Sequence, residues 1–225
     1  MPATSGDGSE VSLEFWFDFA SPYAYLAALR IETLVAAATR GGRSIRLLWR
    51  PLLLGPIFQR RVSNPSPFQQ AEPAERRYRH RDIERSCRHY GLPLTWPSTY
   101  PRGSLLATRV ALIAAGEGWG AAFARSVFAA NFAADLDIAS APVVAEILRD
   151  LGRDAAVIMA RAAEPAVKAS MAAQVDEAIA KGIFGAPSFL VEDELFWGND
   201  RLEQAIVWAV SGKIGEDATP AMPPG

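Results

Sequence analysis

The stretch FWFDFASPYAYLAALR, from Phe15 to Arg30, changes its hydrophobic period at Ala20-Ser21-Pro22. Before that turn Val11, Leu13, Phe15, Phe17 and Phe19 alternate with Ser12, Glu14 and Asp18, which predicts a strand. Trp16, on the second face, implies that this face is partly covered as well. After the turn Leu26, Leu29, Thr33, Leu34 and Ala37 recur at three and four residues, which predicts one helix with one apolar stripe. Ser21 is then expected as the N-cap and Pro22 as the first helical residue. Whatever Ser21 presents stands at a strand's C-terminal end and a helix's N-terminus together. The first N–H groups there lack intrahelical partners and favour an anion. A serine in this place accepts a hydrogen bond from its own helix and still turns its proton outward. Taken locally, a serine that only caps is the plainer reading.

Beyond Gly41-Gly42, the segment Ser44–Trp49 alternates at Ile45, Leu47 and Trp49 and stops at Pro51, a second strand. Strand, helix and strand at this spacing form a βαβ unit with parallel strands and a right-handed crossover. From Leu54 the residues Gly55, Pro56, Asn64, Pro65, Pro67 and Pro73 predict a loop-rich exit from the sheet. Helices are expected over Pro73–Tyr90, Ser104–Ala115, Ala121–Phe132, Ser140–Leu151 and Pro165–Lys181. Between the first two, Trp96 and Tyr100 fit either a pocket wall or a surface crossover. Ser188–Val191 and Glu194–Trp197 then read as a hairpin around Glu192-Asp193, and Asn199 as the cap of a last helix. The layout is an α/β domain, residues 11–54 and 183–212, split by an all-helical insertion, residues 55–182. Flexible tails are expected at 1–10 and 213–225.

Half of the 225 residues are hydrophobic, so the size of the core is not limiting. The single cysteine, Cys87, rules out an internal disulfide and a Cys-x-x-Cys pair, which fits a reduced, cytoplasmic setting. A formal net charge of -2 argues against nucleic acid as a partner. The opening residues lack the apolar core of a signal peptide, and no apolar run reaches the ~20 residues of a membrane helix, so no membrane partner is expected. Arg76, Arg77, Arg79, Arg81, Arg85 and Arg88 lie among Asp82 and Glu84, a pattern plainly served by a solvated helix face, with an anion-binding face as the alternative. His80 and His89 have no Asp, Glu or Cys array at metal spacing, so no metal site is expected.

A βαβ unit and a ββα unit separated by helices are the layout of DsbA-like members of the thioredoxin superfamily. Gly185-Ala186-Pro187-Ser188 resembles that superfamily's cis-proline loop, and Ser21-Pro22-Tyr23-Ala24 stands where a redox member carries Cys-x-x-Cys. The motifs FDFASPYAYLA, PLLLG, GIFGAPSFLV and FWGNDRL, in this order, resemble the 2-hydroxychromene-2-carboxylate isomerase family and the related kappa-class glutathione transferases. The resemblance runs from Val11 to about Val210.

It implies a glutathione cofactor, with Ser21 as the catalytic residue donating its hydroxyl proton to the thiolate. Ala186 and Pro187 would meet the cysteinyl unit, Asn199 and Asp200 would receive the γ-glutamyl end, and Asn64 would add a polar contact. It further implies a small-molecule substrate with a carboxylate, for which Arg76, Arg77 and Arg102 are the candidates, and a homodimer. The implied chemistry is reversible addition of the thiolate to an α,β-unsaturated pyruvate side chain, rotation and elimination. Where the family has a Pro-x-Asn-Ser loop, this chain has Pro101-Arg102-Gly103-Ser104. A transferase that releases the conjugate, and a thioredoxin-like binding protein without turnover, remain the alternatives. A disulfide oxidoreductase is disfavoured because Cys87 stands alone.

Overall fold

Strand β1 (Val11–Phe17) is paired on both edges, parallel to β2 (Ile45–Pro51) and antiparallel to β3 (Ser188–Val191). The outer strand β4 (Glu194–Trp197) pairs antiparallel with β3, so the order is β2-β1-β3-β4. The structure, a computed structural model, describes residues 10–41, 43–60 and 71–212. Asn64 and most of the two expected tails lie outside the described residues. In register, Val11 faces Ile45, Phe17 faces Pro51 and Phe15 faces Phe189. A strand with neighbours on both edges and helices on both faces reads as a nearly continuous apolar run, as FWF does.

Helices α1 (Pro22–Ala28) and α2 (Ile31–Ala38) follow β1. Seven helices among the described residues stand between β2 and β3: α3 (Leu54–Arg60), α4 (Pro73–Tyr90), α5 (Leu105–Gly116), α6 (Gly120–Phe132), α7 (Ala141–Asp150), α8 (Ala155–Ala163) and α9 (Pro165–Ala180). Helix α10 (Leu202–Ser211) closes the fold. This is a DsbA-like thioredoxin fold of the α/β class.

The first face of β1 opens an aromatic run that leaves the sheet. Phe15 stacks on Phe189 with centroids 5.5 Å apart, Phe17 meets Phe19 at 5.3 Å, and Phe19 meets Phe128 of α6 at 5.0 Å. Tyr25 of α1 meets Phe132 of α6 at 5.3 Å. The core is therefore continuous from the sheet through α1 into α6. On the second face Trp16 is fully buried against Leu54, Ile57, Met171 and Val175, as its place in the alternation implied. Arg50 covers its ring at 4.6 Å.

Four expectations need correction. The predicted single helix is two, because Arg30 N–H bonds Ala27 three residues back at 3.0 Å and the ladder resets. Ile31 and Val35 turn inward in place of Thr33 and Ala37, which are exposed. At the break the Arg30 guanidinium lies 3.6 Å over the Tyr90 ring and 3.0 Å from Glu203. The expected loop after Leu54 begins as α3. Helix α8 was not foreseen; the signals available were Asp154, whose side chain accepts from Val157 N–H at 3.1 Å, and Ile158 and Ala162, which share one buried face four residues apart. Asn199 does not cap the last helix. It opens a 3-10 turn, Asn199–Arg201, and its side chain makes no cap bond.

Candidate active site

Ser21 is the N-cap of α1, as expected, and is 2 % exposed. Its Oγ accepts from Ala24 N–H at 3.2 Å and donates to the carbonyl of Ala186 at 2.9 Å. The Ala186–Pro187 peptide bond is cis. Thus the β1–α1 turn and the loop before β3, which are 165 residues apart in sequence, meet through one hydroxyl proton.

The loop continues as a ledge. Ser188 Oγ donates to Gly185 O at 2.8 Å, and Gly198 N–H donates to Pro187 O at 3.0 Å, which places Asn199 and Asp200 directly after the anchored Gly198. The 3-10 turn that they begin also contacts α1. Asn199 is buried, and its Oδ1 has no hydrogen-bond partner among the described residues. A buried acceptor left unmet costs about 1–3 kcal/mol, so an N–H donor from a ligand would offset a real deficit. The Asp200 carboxylate is exposed and 3.3 Å from Arg201. Gly198 has φ 113°, and a Cβ there would collide with Asp200 Oδ1, so the ledge requires glycine.

On the other side of Pro22 a pocket of about 270 Å³ opens. Pro22 and Tyr23 of α1 form one wall, Arg76, Arg79, His80 and Ile83 of α4 another, and Trp96, Tyr100 and Pro101 a third. His80 stacks on Trp96 with centroids 3.9 Å apart. Tyr23 Oη donates to Asp82 at 2.9 Å and pins α1 to α4. Burial first, and then the Asp82 bond, push the Tyr23 phenol above its ordinary range; burial does the same for Tyr100. Both phenols are therefore neutral donors near neutral pH, and the cationic wall is supplied by α4.

Of the three arginines considered for a substrate carboxylate, only Arg76 lines this pocket. Arg77 is exposed on α4 outside it. Arg102 is 7 % exposed and is spent internally, on Asn131 Oδ1 at 3.2 Å, Leu136 O at 3.0 Å, Ser98 Oγ at 3.2 Å and the Asp135 carboxylate. From sequence Arg79 stood only among the arginines of a charged helix and His80 only as a disfavoured metal ligand; they sit three and four residues after Arg76, which is the spacing of one helix face. Asp18, too, was missed as a site residue, although it lies three residues before Ser21.

Among the described residues no three or more His, Cys, Asp or Glu side chains gather as a metal would need, and no helix is long and apolar enough to cross a membrane. Cys87 is buried on α4, where burial pushes its thiol up to about 11.

The chain is 29 % identical over 192 residues to the 2-hydroxychromene-2-carboxylate isomerase of Sphingobium xenophagum, covering 85 % of this chain and 94 % of that protein. It is 29 % identical over 218 residues to glutathione S-transferase kappa 2 of Caenorhabditis elegans, covering 85 % and 88 %. A solved 2-hydroxychromene-2-carboxylate isomerase structure superposes with a TM-score of 0.76 at 26 % identity, covering 86 % of this chain and 91 % of that one. The family model of the DSBA-like thioredoxin domain matches residues 12–205, and the chain belongs to that family.

Proposed function

We propose that this protein is a glutathione-dependent cis–trans isomerase of the 2-hydroxychromene-2-carboxylate isomerase type, acting on an aromatic or unsaturated carboxylate. The observation that carries the reading is the Ser21 hydroxyl. It sits where redox relatives carry a cysteine, faces the cis-proline loop at Ala186, and adjoins a pocket with cationic and aromatic walls. The isomerase names of the relative from Sphingobium xenophagum and of the solved structure support it.

The residues present fit glutathione. The unmet Asn199 Oδ1 and the Asp200 carboxylate suit an ammonium end, the Ala186 carbonyl suits a peptide N–H, and Ser21 suits a thiolate. Bound glutathione would supply a thiolate that adds reversibly to the conjugated double bond, permits rotation and departs. Ser21 turns its proton from Ala186 O toward the sulfur, which leaves that carbonyl open to accept from the ligand backbone. A hydrogen bond to a charged acceptor is worth about 1.5–3 kcal/mol, or roughly one to two units of thiol pKa. Arg76, with Arg79 and His80, faces the substrate carboxylate, while Trp96 and Tyr23 wall the ring.

The similarity to a kappa-class transferase at the same identity favours a second reading, in which the thiol conjugate is released. Incubation with 2-hydroxychromene-2-carboxylate and a trace of glutathione separates them. Isomerisation through many turnovers with glutathione undiminished supports the isomerase, and stoichiometric loss of glutathione supports the transferase. No glutathione-stimulated reaction of this substrate or of a model electrophile contradicts both.

A further inference from the structure

Asp18, at the end of β1, is 6 % exposed and gathers donors from three parts of the chain. Its Oδ1 accepts from Ala20 N–H at 2.9 Å and from Ser104 Oγ at 3.3 Å, and its Oδ2 accepts from Leu54 N–H at 2.9 Å. Its own carbonyl accepts from Ser21 N–H at 2.9 Å. The middle of the same turn is held from α6, where Asn131, 1 % exposed, donates from Nδ2 to Phe19 O at 3.0 Å. Asn131 is itself oriented by Arg102, which donates to its Oδ1. Each residue from Asp18 to Ser21 thereby has at least one polar group held by a hydrogen bond.

Two features set this apart from ordinary turn scaffolding. Ser104 occupies the N-cap position of α5 yet makes no cap bond; its hydroxyl goes to Asp18 instead. A helix start that gives up its cap forgoes about 0.5–2 kcal/mol. Burial also raises the Asp18 carboxyl above its ordinary value, so the fold bears a desolvation cost beside Ser21.

We infer that Asp18, Ser104 and Asn131 are positioning residues that fix the β1–α1 turn so that the Ser21 hydroxyl meets the thiol sulfur of the bound cofactor. The inference rests on the glutathione reading above. It accounts for the spread of the three residues over β1, α5 and α6: the helices between β2 and β3 hold the turn that carries Ser21.

The test uses the full chain, reduced glutathione as the probe, and the variants Asp18→Asn, Ser104→Ala and Asn131→Ala, the second being the mildest change. The ultraviolet absorbance of bound thiolate is titrated against pH, and glutathione affinity is measured below the thiol's ionisation. Folded variants are expected to raise the bound thiol pKa relative to the wild type, about tenfold in ionisation for Asp18→Asn, with affinity for the un-ionised thiol changed less than about threefold. Turnover would fall through kcat and not through KM. Ser104→Ala, which removes only one donor, should give the smaller shift in the same direction. Thiol pKa values equal to the wild type in folded Ser104→Ala and Asn131→Ala overturn the inference alone. A wild type that leaves bound glutathione un-ionised overturns the glutathione reading and this inference with it.

Discussion

The hydroxyl oxygen of Ser21 lies 2.9 Å from the carbonyl oxygen of Ala186 and 3.2 Å from the amide nitrogen of Ala24. Its single proton is therefore committed to the loop and its lone pair to the helix. Ser21→Ala removes both bonds. Capping losses run to about 0.5–2 kcal/mol, so a modest drop in unfolding free energy is expected. Loss of a donor to a thiolate should lower kcat roughly 10–100-fold. Steady-state kinetics beside a denaturant curve check both; an unchanged kcat would mean that the hydroxyl only caps.

Arg76→Ala and Arg102→Ala should separate substrate contact from scaffolding. The exposed Arg76 side chain faces the pocket, and its loss should raise KM for a carboxylate substrate roughly fivefold, the size of a solvated charge pair of about 1 kcal/mol. Glutathione affinity and stability should stay as they are. Arg102 is buried among at least four acceptors, and its loss should cost about 2–4 kcal/mol of stability. The reverse pattern, a KM effect at Arg102 without destabilisation, would mean that the buried network is dispensable.

Asp18 sets a definite sign on acid-range stability. Burial first, opposed by the bonds from Ala20, Leu54 and Ser104, raises its carboxyl above 3.8. Between the unfolded value and the raised folded value the folded chain binds more protons, so stability contributed by Asp18 is full below that window and falls as pH rises through it. Asp135 acts oppositely: Ser98 N–H first, and then Arg102, lower its carboxyl, so its contribution is lost as pH falls through its folded value. Denaturation of wild type and Asp18→Asn across the acid range should show the falling component only in the wild type. Parallel profiles would contradict the assignment.

Gly120 opens α6 against the end of α5, and a Cβ there would stand 2.8 Å from Ala115 Cα. Backbone cannot yield as a side chain does. Gly120→Ala should therefore destabilise by about 1–3 kcal/mol. A thermal or urea midpoint equal to the wild type would show that the corner between α5 and α6 relaxes.

Much of this arrangement was legible because local rules and tertiary demands agree. Ser21-Pro22 capped a helix in the sequence as in the structure, and the Ser188–Val191 and Glu194–Trp197 hairpin follows its alternation to the residue. The break at Arg30 was not legible, since it answers to Tyr90 and Glu203, which are distant in sequence. Helix α8 is short, and its buried face rests on Ile158 and Ala162 alone, too brief a stripe to stand out. Arg102 was weighed as a substrate ligand because sequence shows its charge but not Asn131 and Asp135 around it. Asp18 read only as a polar strand residue; its bond from Ala20 N–H is local, but Leu54 and Ser104 come from helix starts whose approach no local pattern encodes. The pocket wall of Arg76, Arg79 and His80 was hidden within a charged helix face.

The most direct test of the central claim is the ionisation of the glutathione thiol when bound, followed by thiolate absorbance against pH in wild type and Ser21→Ala. The account predicts saturable binding, a thiol pKa lowered by at least about one unit from that of free glutathione, and most of that shift lost in the variant. No binding at millimolar glutathione, or the same thiol pKa in both proteins, would contradict it.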